Sequence, residues 1–218
     1  MHATADPHAR PAAPTRKPVI GLLGAPGSGK SFVARLFERE GAAVIDADRL
    51  ARETLDEPAV REQVRQWWGP GVLDADGRID RKALGAIVFD NPEALHQLES
   101  LVHPRVHERR QALREQHGAD PAVRAIVEDS PLLLEQGVDA ECDVLVFVDA
   151  SRAVREQRVR ETRGWSSAEL DRREKNQASL DMKRNRADYV LDNGVGEPLV
   201  REQARHALSQ ILQRIEPA

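Results

Sequence analysis

"GLLGAPGSGKSF", residues 21 to 32, decides how the rest of the chain is read. Residues 19 to 23 form a short apolar run between Pro18 and Gly24, the pattern of a buried strand. From Gly29 the pattern changes: Val33, Leu36 and Phe37 recur at helical spacing with charges between them, and Gly41 supplies a stop. Between strand and helix, Gly24-Ala25-Pro26-Gly27-Ser28-Gly29-Lys30-Ser31 satisfies G-x-x-x-x-G-K-[ST]. Glycines let backbone N–H groups turn onto phosphate oxygens with no Cβ in the way. The helix that follows offers unsatisfied N–H groups and the positive end of its dipole. In such a loop Lys30 reaches the β- and γ-phosphates and Ser31 ligates Mg²⁺. With a strand before and a helix after, the stretch predicts a nucleotide-phosphate cradle and not a plain glycine turn. Phe32 stands where many such loops carry Thr, outside the Gly-Lys-Ser core.

Working outward, four more apolar runs read as strands: "AAVID" (42–46), "VRAIVED" (123–129), "DVLVFVD" (143–149) and "DYVLDN" (188–193). They are nearly continuous and do not alternate, as parallel strands covered on both faces should be. The expected fold is therefore α/β, a P-loop three-layer α/β/α arrangement with a parallel five-stranded core sheet. The sheet would draw on residues 19–48, 119–150 and 187–218. The connection at 49–122 is too long to lack structure of its own. Helical patterns at 49–56, 58–68, 80–89 and 92–117 make 49–118 a helical acceptor lobe, broken at "WWGPGVLDADGR" by two turn signals. Residues 151–186 form a second helical insertion, dense in arginine, expected as a lid. Residues 1–18 are rich in Ala and Pro and read as a disordered tail.

Composition narrows the function. At 218 residues, 40% hydrophobic and 31% charged, the chain suits one soluble core with appended lobes. A formal net charge of −4 gives no global field toward nucleic acid or an anionic membrane. No stretch approaches the roughly 20 apolar residues of a membrane span. No apolar leader of signal-peptide length precedes the first strand. The single cysteine, Cys142, has no internal partner and no Cys/His spacing reads as zinc, so a cytoplasmic location is expected. Lysine occurs only at 17, 30, 82, 175 and 183, so Lys30 is a rare choice in an arginine-rich chain.

Carboxylates close the strands. Asp46 and Asp48, two apart in "VIDAD", are expected to point the same way at the strand end that lines the ligand crevice. Asp48 is there either to take a hydroxyl proton or to cap the helix beginning near Arg49. Asp129 and Asp149 also end strands; either suits a magnesium anchor, and Asp149 also suits a cap for the helix near Arg152.

Several stretches together resemble the dephospho-coenzyme A kinase family: "GAPGSGKS", "VIDADRLAR" (44–52), "RKALGAIVFDNPEALHQLESLVHP" (81–104), "DSPLLLE" (129–135), "VFVDAS" (146–151) and "ADYVLDNG" (187–194). They occur in the family's order over residues 18 to 212. The resemblance implies ATP-dependent phosphorylation of the ribose 3′-hydroxyl of dephospho-CoA, with ATP and Mg²⁺ as cofactors. It implies small-molecule partners only, and a monomer or weak homo-oligomer. Gly24, Gly27, Ser28, Gly29, Lys30, Ser31 and Phe32 match the ATP phosphate loop, and Asp48 matches the proposed base. Asp46, His103, Pro104, Pro131 and Leu132 match the acceptor side. Arg158 matches a lid arginine over the phosphates, and Asn193 the adenine side; Arg163 is expected to bind ATP beside Arg158, since a guanidinium fork meets two phosphate oxygens. Arg152 and Arg155, on the same helix face as Arg158, are expected to be solvated. The alternative is another P-loop small-molecule kinase of the shikimate type. That family uses a run of glycines for its acceptor, and this chain has no two adjacent glycines. Neither the Asn-Lys-x-Asp of GTPases nor the Ser-Gly-Gly of transporter ATPases occurs.

Overall fold

A computed structural model describes residues 16–89 and 91–215. The apolar runs become β1 (Val19–Leu23), β2 (Ala42–Asp46), β3 (Ala125–Asp129), β4 (Val144–Asp149) and β5 (Tyr189–Asp192). They form one sheet in the order β2-β3-β1-β4-β5, every neighbouring pair parallel. The register sets Asp129 beside both Leu22 and Asp46. The strand ends that carry the phosphate loop and two of the carboxylates are thus level with one another, at the carboxyl edge where ligands bind in such sheets.

Every residue of β1 and β3 is buried, because helices cover both faces. On one face α1 (Lys30–Arg39) and α9 (Glu197–Ile215) pack Val33, Phe37, Ala204, Leu208 and Ile211 against Ile20, Leu22 and Val146. The strands noted in the sequence stop short of α9, although Val200, Ala204, Ala207, Leu208 and Ile211 repeat on one helical face.

The 49–118 insertion folds as helices with a core of their own. They are α2 (Ala47–Leu55), α3 (Pro58–Trp68), α4 (Arg81–Val88) and α5 (Pro92–Ala119). Val60, Val64, Val72, Ile79, Leu84 and Val102 form that core. The two turn signals become a 3₁₀ turn at Pro70–Val72 and a loop closed by a Leu73–Ile79 bridge. Asp80 and Asn91 cap α4 and α5 through their side chains. Pro104 lies inside α5 without ending it. Alongside α5, the sheet buries a charged cluster: Arg110 and Arg114 meet Glu128 of β3 and Glu141.

The arginine-rich insertion gives α6 (Arg152–Arg163), α7 (Ser167–Lys175) and α8 (Leu180–Arg186), capped by Ser151, Ser166 and Ser179. Asp149 is therefore not the cap of α6; its carboxylate pairs with Arg184 at 2.7 Å. The disordered-tail expectation for 1–15 lies outside the described residues. Residues 16–18, grouped with that tail, are docked: Lys17 Nζ donates to the His117 carbonyl at 2.9 Å, and the Pro18 carbonyl accepts from Ile126 N at 2.9 Å.

Candidate active site

The glycine loop is held in shape from below. Gly29 precedes α1 with φ 93°, and a Cβ there would sit 2.1 Å from Asn193 Nδ2. At Gly27, φ 80°, a Cβ would meet the Arg155 carbonyl and Val159 Cγ1 at 2.9 Å. Only glycine fits either place. Asn193, 4% exposed, donates from Nδ2 to the Ser28 carbonyl at 2.6 Å. Arg158 donates to the same carbonyl at 3.3 Å and to the Asn193 carbonyl at 2.7 Å. The N–H groups of Gly27, Gly29, Lys30 and Ser31 have no protein acceptor among the described residues. Orphan donors at a helix N-terminus are what an anion needs. The family resemblance puts Asn193 on the adenine side; here its side chain lies beneath the loop as a brace.

Ser31, in the first turn of α1, donates its hydroxyl to Asp129 Oδ2 at 2.8 Å. Of the two candidate anchors, Asp129 is thus the one at the loop, while Asp149 is engaged by Arg184. Asp46 caps α2, accepting from Arg49 N at 2.8 Å. Because α2 begins at Ala47, Asp46 and Asp48 are not an extended i, i+2 pair, and Asp48 is not the cap. Asp48 lies in the first helical turn, open at the mouth of the crevice. The protein packed around it, then the charges of Asp46 and Asp129, push its pKa up. Burial pushes Lys30 down, against the pull of Asp129 and Asp48. Lys30 Nζ reaches back to the Gly24 carbonyl at 3.3 Å.

The oxygen set of Ser31, Asp129 and Asp48 suits a hard cation. Among the described residues no group of three or more His, Cys, Asp or Glu forms a closed metal cage.

The lid departs from its expected surface. Arg155 is 4% exposed and not solvated; it donates to the Ala150 carbonyl at 3.2 Å and pairs with Glu174. Arg152 bonds Glu156, Asp171 and Glu174 at once. Both tie α6 to α7, because two adjacent helices short of apolar residues need charge pairs to meet. Arg163 is exposed and stacks, with Arg173, on Trp165 at 4.7 and 4.5 Å. Its positive charge nevertheless reaches Lys30 of the loop, where it adds to the downward push of burial. On the acceptor side, His103 and Pro104 are exposed on α5. Pro131 and Leu132 are half-buried in a turn, not a helix, that follows β3. Glu135 closes that turn onto the lid by accepting from Ala178 N.

Sequence reasoning gave no role to Lys183. It is 2% exposed, and it lines a cleft of about 450 Å³ whose opposite wall includes Ala25 of the phosphate loop. The available signal was the scarcity of lysine in this chain.

Comparison with known proteins identifies the family. The family described as Dephospho-CoA kinase matches residues 18–213. A dephospho-CoA kinase of Corynebacterium glutamicum is 35% identical over 198 residues, covering 90% of this chain and 98% of that protein. One from Thermobifida fusca is 42% identical over 176 residues, covering 80% and 86%. A solved protein from Thermus thermophilus superposes with TM-score 0.76 at 34% identity, covering 90% of this chain and 98% of its own. A dephospho-CoA kinase from Campylobacter jejuni, at 23% identity and TM-score 0.59 over 91% of this chain and 97% of its own, shares the fold.

Proposed function

The chain belongs to the dephospho-CoA kinase family, and on that premise we propose how its residues carry out the reaction. ATP gives its γ-phosphoryl group to the ribose 3′-hydroxyl of dephospho-CoA, yielding CoA and ADP, the last step of CoA synthesis. The observation that carries the assignment of roles is the convergence of Lys30, Ser31–Asp129 and Asp48 at the ends of β1, β3 and β2.

The triphosphate sits on the orphan N–H groups of Gly27, Gly29, Lys30 and Ser31. Lys30 leaves the Gly24 carbonyl for the β- and γ-phosphates, where anions restore the charge that burial disfavours. Asp48 accepts the 3′-hydroxyl proton as the ribose oxygen bonds to the γ-phosphorus and the bond to the β-phosphate oxygen breaks. A carboxylate whose proton affinity is raised is the better base for that step. Ser31 and Asp129 would hold Mg²⁺, which neutralises phosphate charge when bound. Arg158, already at the loop, turns its guanidinium fork onto the transferring group. The acceptor enters between the sheet and the α2–α5 lobe, past His103, Pro104, Pro131 and Leu132. Lid closure excludes water, whose attack would waste ATP.

Cytoplasmic location and a monomer or weak homo-oligomer belong to the same proposal. In support of the former, Cys142 is free, with its thiol pushed up to about 12 by burial. No described helix is long and apolar enough to cross a membrane.

The test is ADP release with dephospho-CoA, with shikimate and with no acceptor. Release should require dephospho-CoA; release at full rate without acceptor overturns the kinase reading. Asp48→Asn should bind ATP normally and lose about 10²- to 10⁴-fold in turnover. Turnover within a few-fold of wild type means Asp48 is not the base.

A further inference from the structure

Lys183 has no part in the chemistry above, yet its placement is costly. It sits in α8 with 2% of its surface exposed. Its Nζ donates to Gln177 Oε1 at 2.7 Å, a neutral partner. The nearby carboxylates are committed elsewhere: Glu174 to Arg152 and Arg155, Glu135 to the backbone of Ala178. No carboxylate makes an ion pair with Lys183 among the described residues. A buried ammonium with no direct ion pair is left with room for a further anion.

The surroundings say which anion. Lys183 and Gln177 line the cleft of about 450 Å³ between the lid and the phosphate loop, with Ala25 on the far wall. Burial pushes the Lys183 ammonium down to about 8, Glu135 and Glu174 pull it up, and the charge of Lys30 adds to the push. Lys30, in the loop that contributes Ala25 to the cleft, is near enough for its charge to act on Lys183. Ammonium on a flexible stem is a point charge that can follow a moving group.

We propose that Lys183 is a second phosphate-binding lysine, which with Lys30 grips the γ-phosphoryl group of the bound nucleotide while Gln177 fixes its aim. The inference rests on the kinase assignment and adds a residue to it. It also accounts for a buried cation without an ion pair: the partner arrives with the nucleotide, and a γ-phosphate would hold α8 against the loop it already faces.

The test uses the full chain as wild type, Lys183→Met and Lys183→Arg. In steady-state ADP release with dephospho-CoA, Lys183→Met should lower kcat by about 30-fold or more and raise KM for ATP by the smaller factor that the analogue's affinity loses. Lys183→Arg should recover part of the loss. In binding titrations, Lys183→Met should weaken a non-hydrolysable β,γ-imido ATP analogue and leave ADP unchanged. Its melting temperature should not fall, since an uncompensated charge has been removed. Two results overturn the proposal: a kcat within a few-fold of wild type, or equal weakening of ADP and the analogue with a lower melting temperature. Inactive wild type would instead sink the proposed reaction, and the comparison of ADP with the analogue would still decide on Lys183. If Lys183→Met does not fold, Lys183→Arg and Gln177→Leu carry the same comparison.

Discussion

At the scale of single residues, the phosphate loop shows which contacts a sequence exposes and which it hides. Lys30 and Ser31 are legible because loop, strand and helix are contiguous, so one motif carries the whole geometry. The partners of the loop are not contiguous. Ser31 finds Asp129 across 98 residues, and the Ser28 carbonyl finds Asn193 across 165. Nothing local distinguishes Asp129 from Asp149, and β3 and β4 both flank β1; the register does, since Asp129 pairs with Leu22 while Phe147 already pairs with Leu23 and leaves Asp149 two residues farther along. Asn193 invites a prediction of its own. It supplies the shorter of the two bonds to the Ser28 carbonyl, 2.6 Å against 3.3 Å from Arg158. Asn193→Ala removes that donor and leaves a buried carbonyl underbonded, a loss of about 1–3 kcal/mol. Asn193→Asp sets a carboxylate against the same oxygen and should do worse. ATP titrations should rank the variants wild type, Ala, Asp, with roughly tenfold or greater weakening at the first step. Equal affinities would remove Asn193 from the loop's support.

At the scale of elements, strand runs were readable to within about two residues, because buried parallel strands write themselves as uninterrupted apolar runs. Helix starts were less so. Asp46, Asp48, Asp149 and Ser151 are all good caps by type, and only the backbone direction at the strand end chooses Asp46 and Ser151. Least legible was the seam between α5 and the sheet. Glu128 is fully buried within β3, next to Asp129, and is held by Arg110 and Arg114, which Glu141 also bridges. A charged residue inside an apolar strand run reveals neither its partner nor its face. The cluster fixes the acceptor lobe to the strand that presents Asp129. Breaking one side is expected to be costly, since Glu128→Ala leaves Arg110 and Arg114 at the seam with Glu141 as their one shared carboxylate. Thermal unfolding should show a loss of about 3–5 kcal/mol. Adding Arg110→Met and Arg114→Met to Glu128→Ala should recover much of it, because a well-packed apolar set replaces an ion cluster at little cost. A triple variant no more stable than the single one would show that the seam is not held in this way.

At the scale of the molecule, the three layers, the lobe and the lid were expected from the lengths of the insertions between strands. What their lengths did not tell is how differently the parts are held. The sheet and the lobe each have an apolar cluster, whereas the buried apolar side chains of α6–α8 are Val159 and Leu170. The lid is instead laced by Arg152, Arg155 and Glu174, and touches the lobe through Arg172 over the exposed Phe89 ring at 5.6 Å. Segments with little apolar burial open at low free-energy cost. The amides of α7 and α8 should therefore exchange with deuterium far sooner than those of β1 and β3. Nucleotide should change this selectively. A triphosphate analogue supplies the anion that Arg158 and Lys183 lack and should slow exchange in α6–α8, while ADP, without a γ-phosphate, should protect the glycine loop and leave α8 nearly as before. Mass spectrometry of peptides covering 167–186 reads the difference directly. Equal protection by ADP and the analogue would mean that the lid responds to occupancy of the loop and not to the group being transferred.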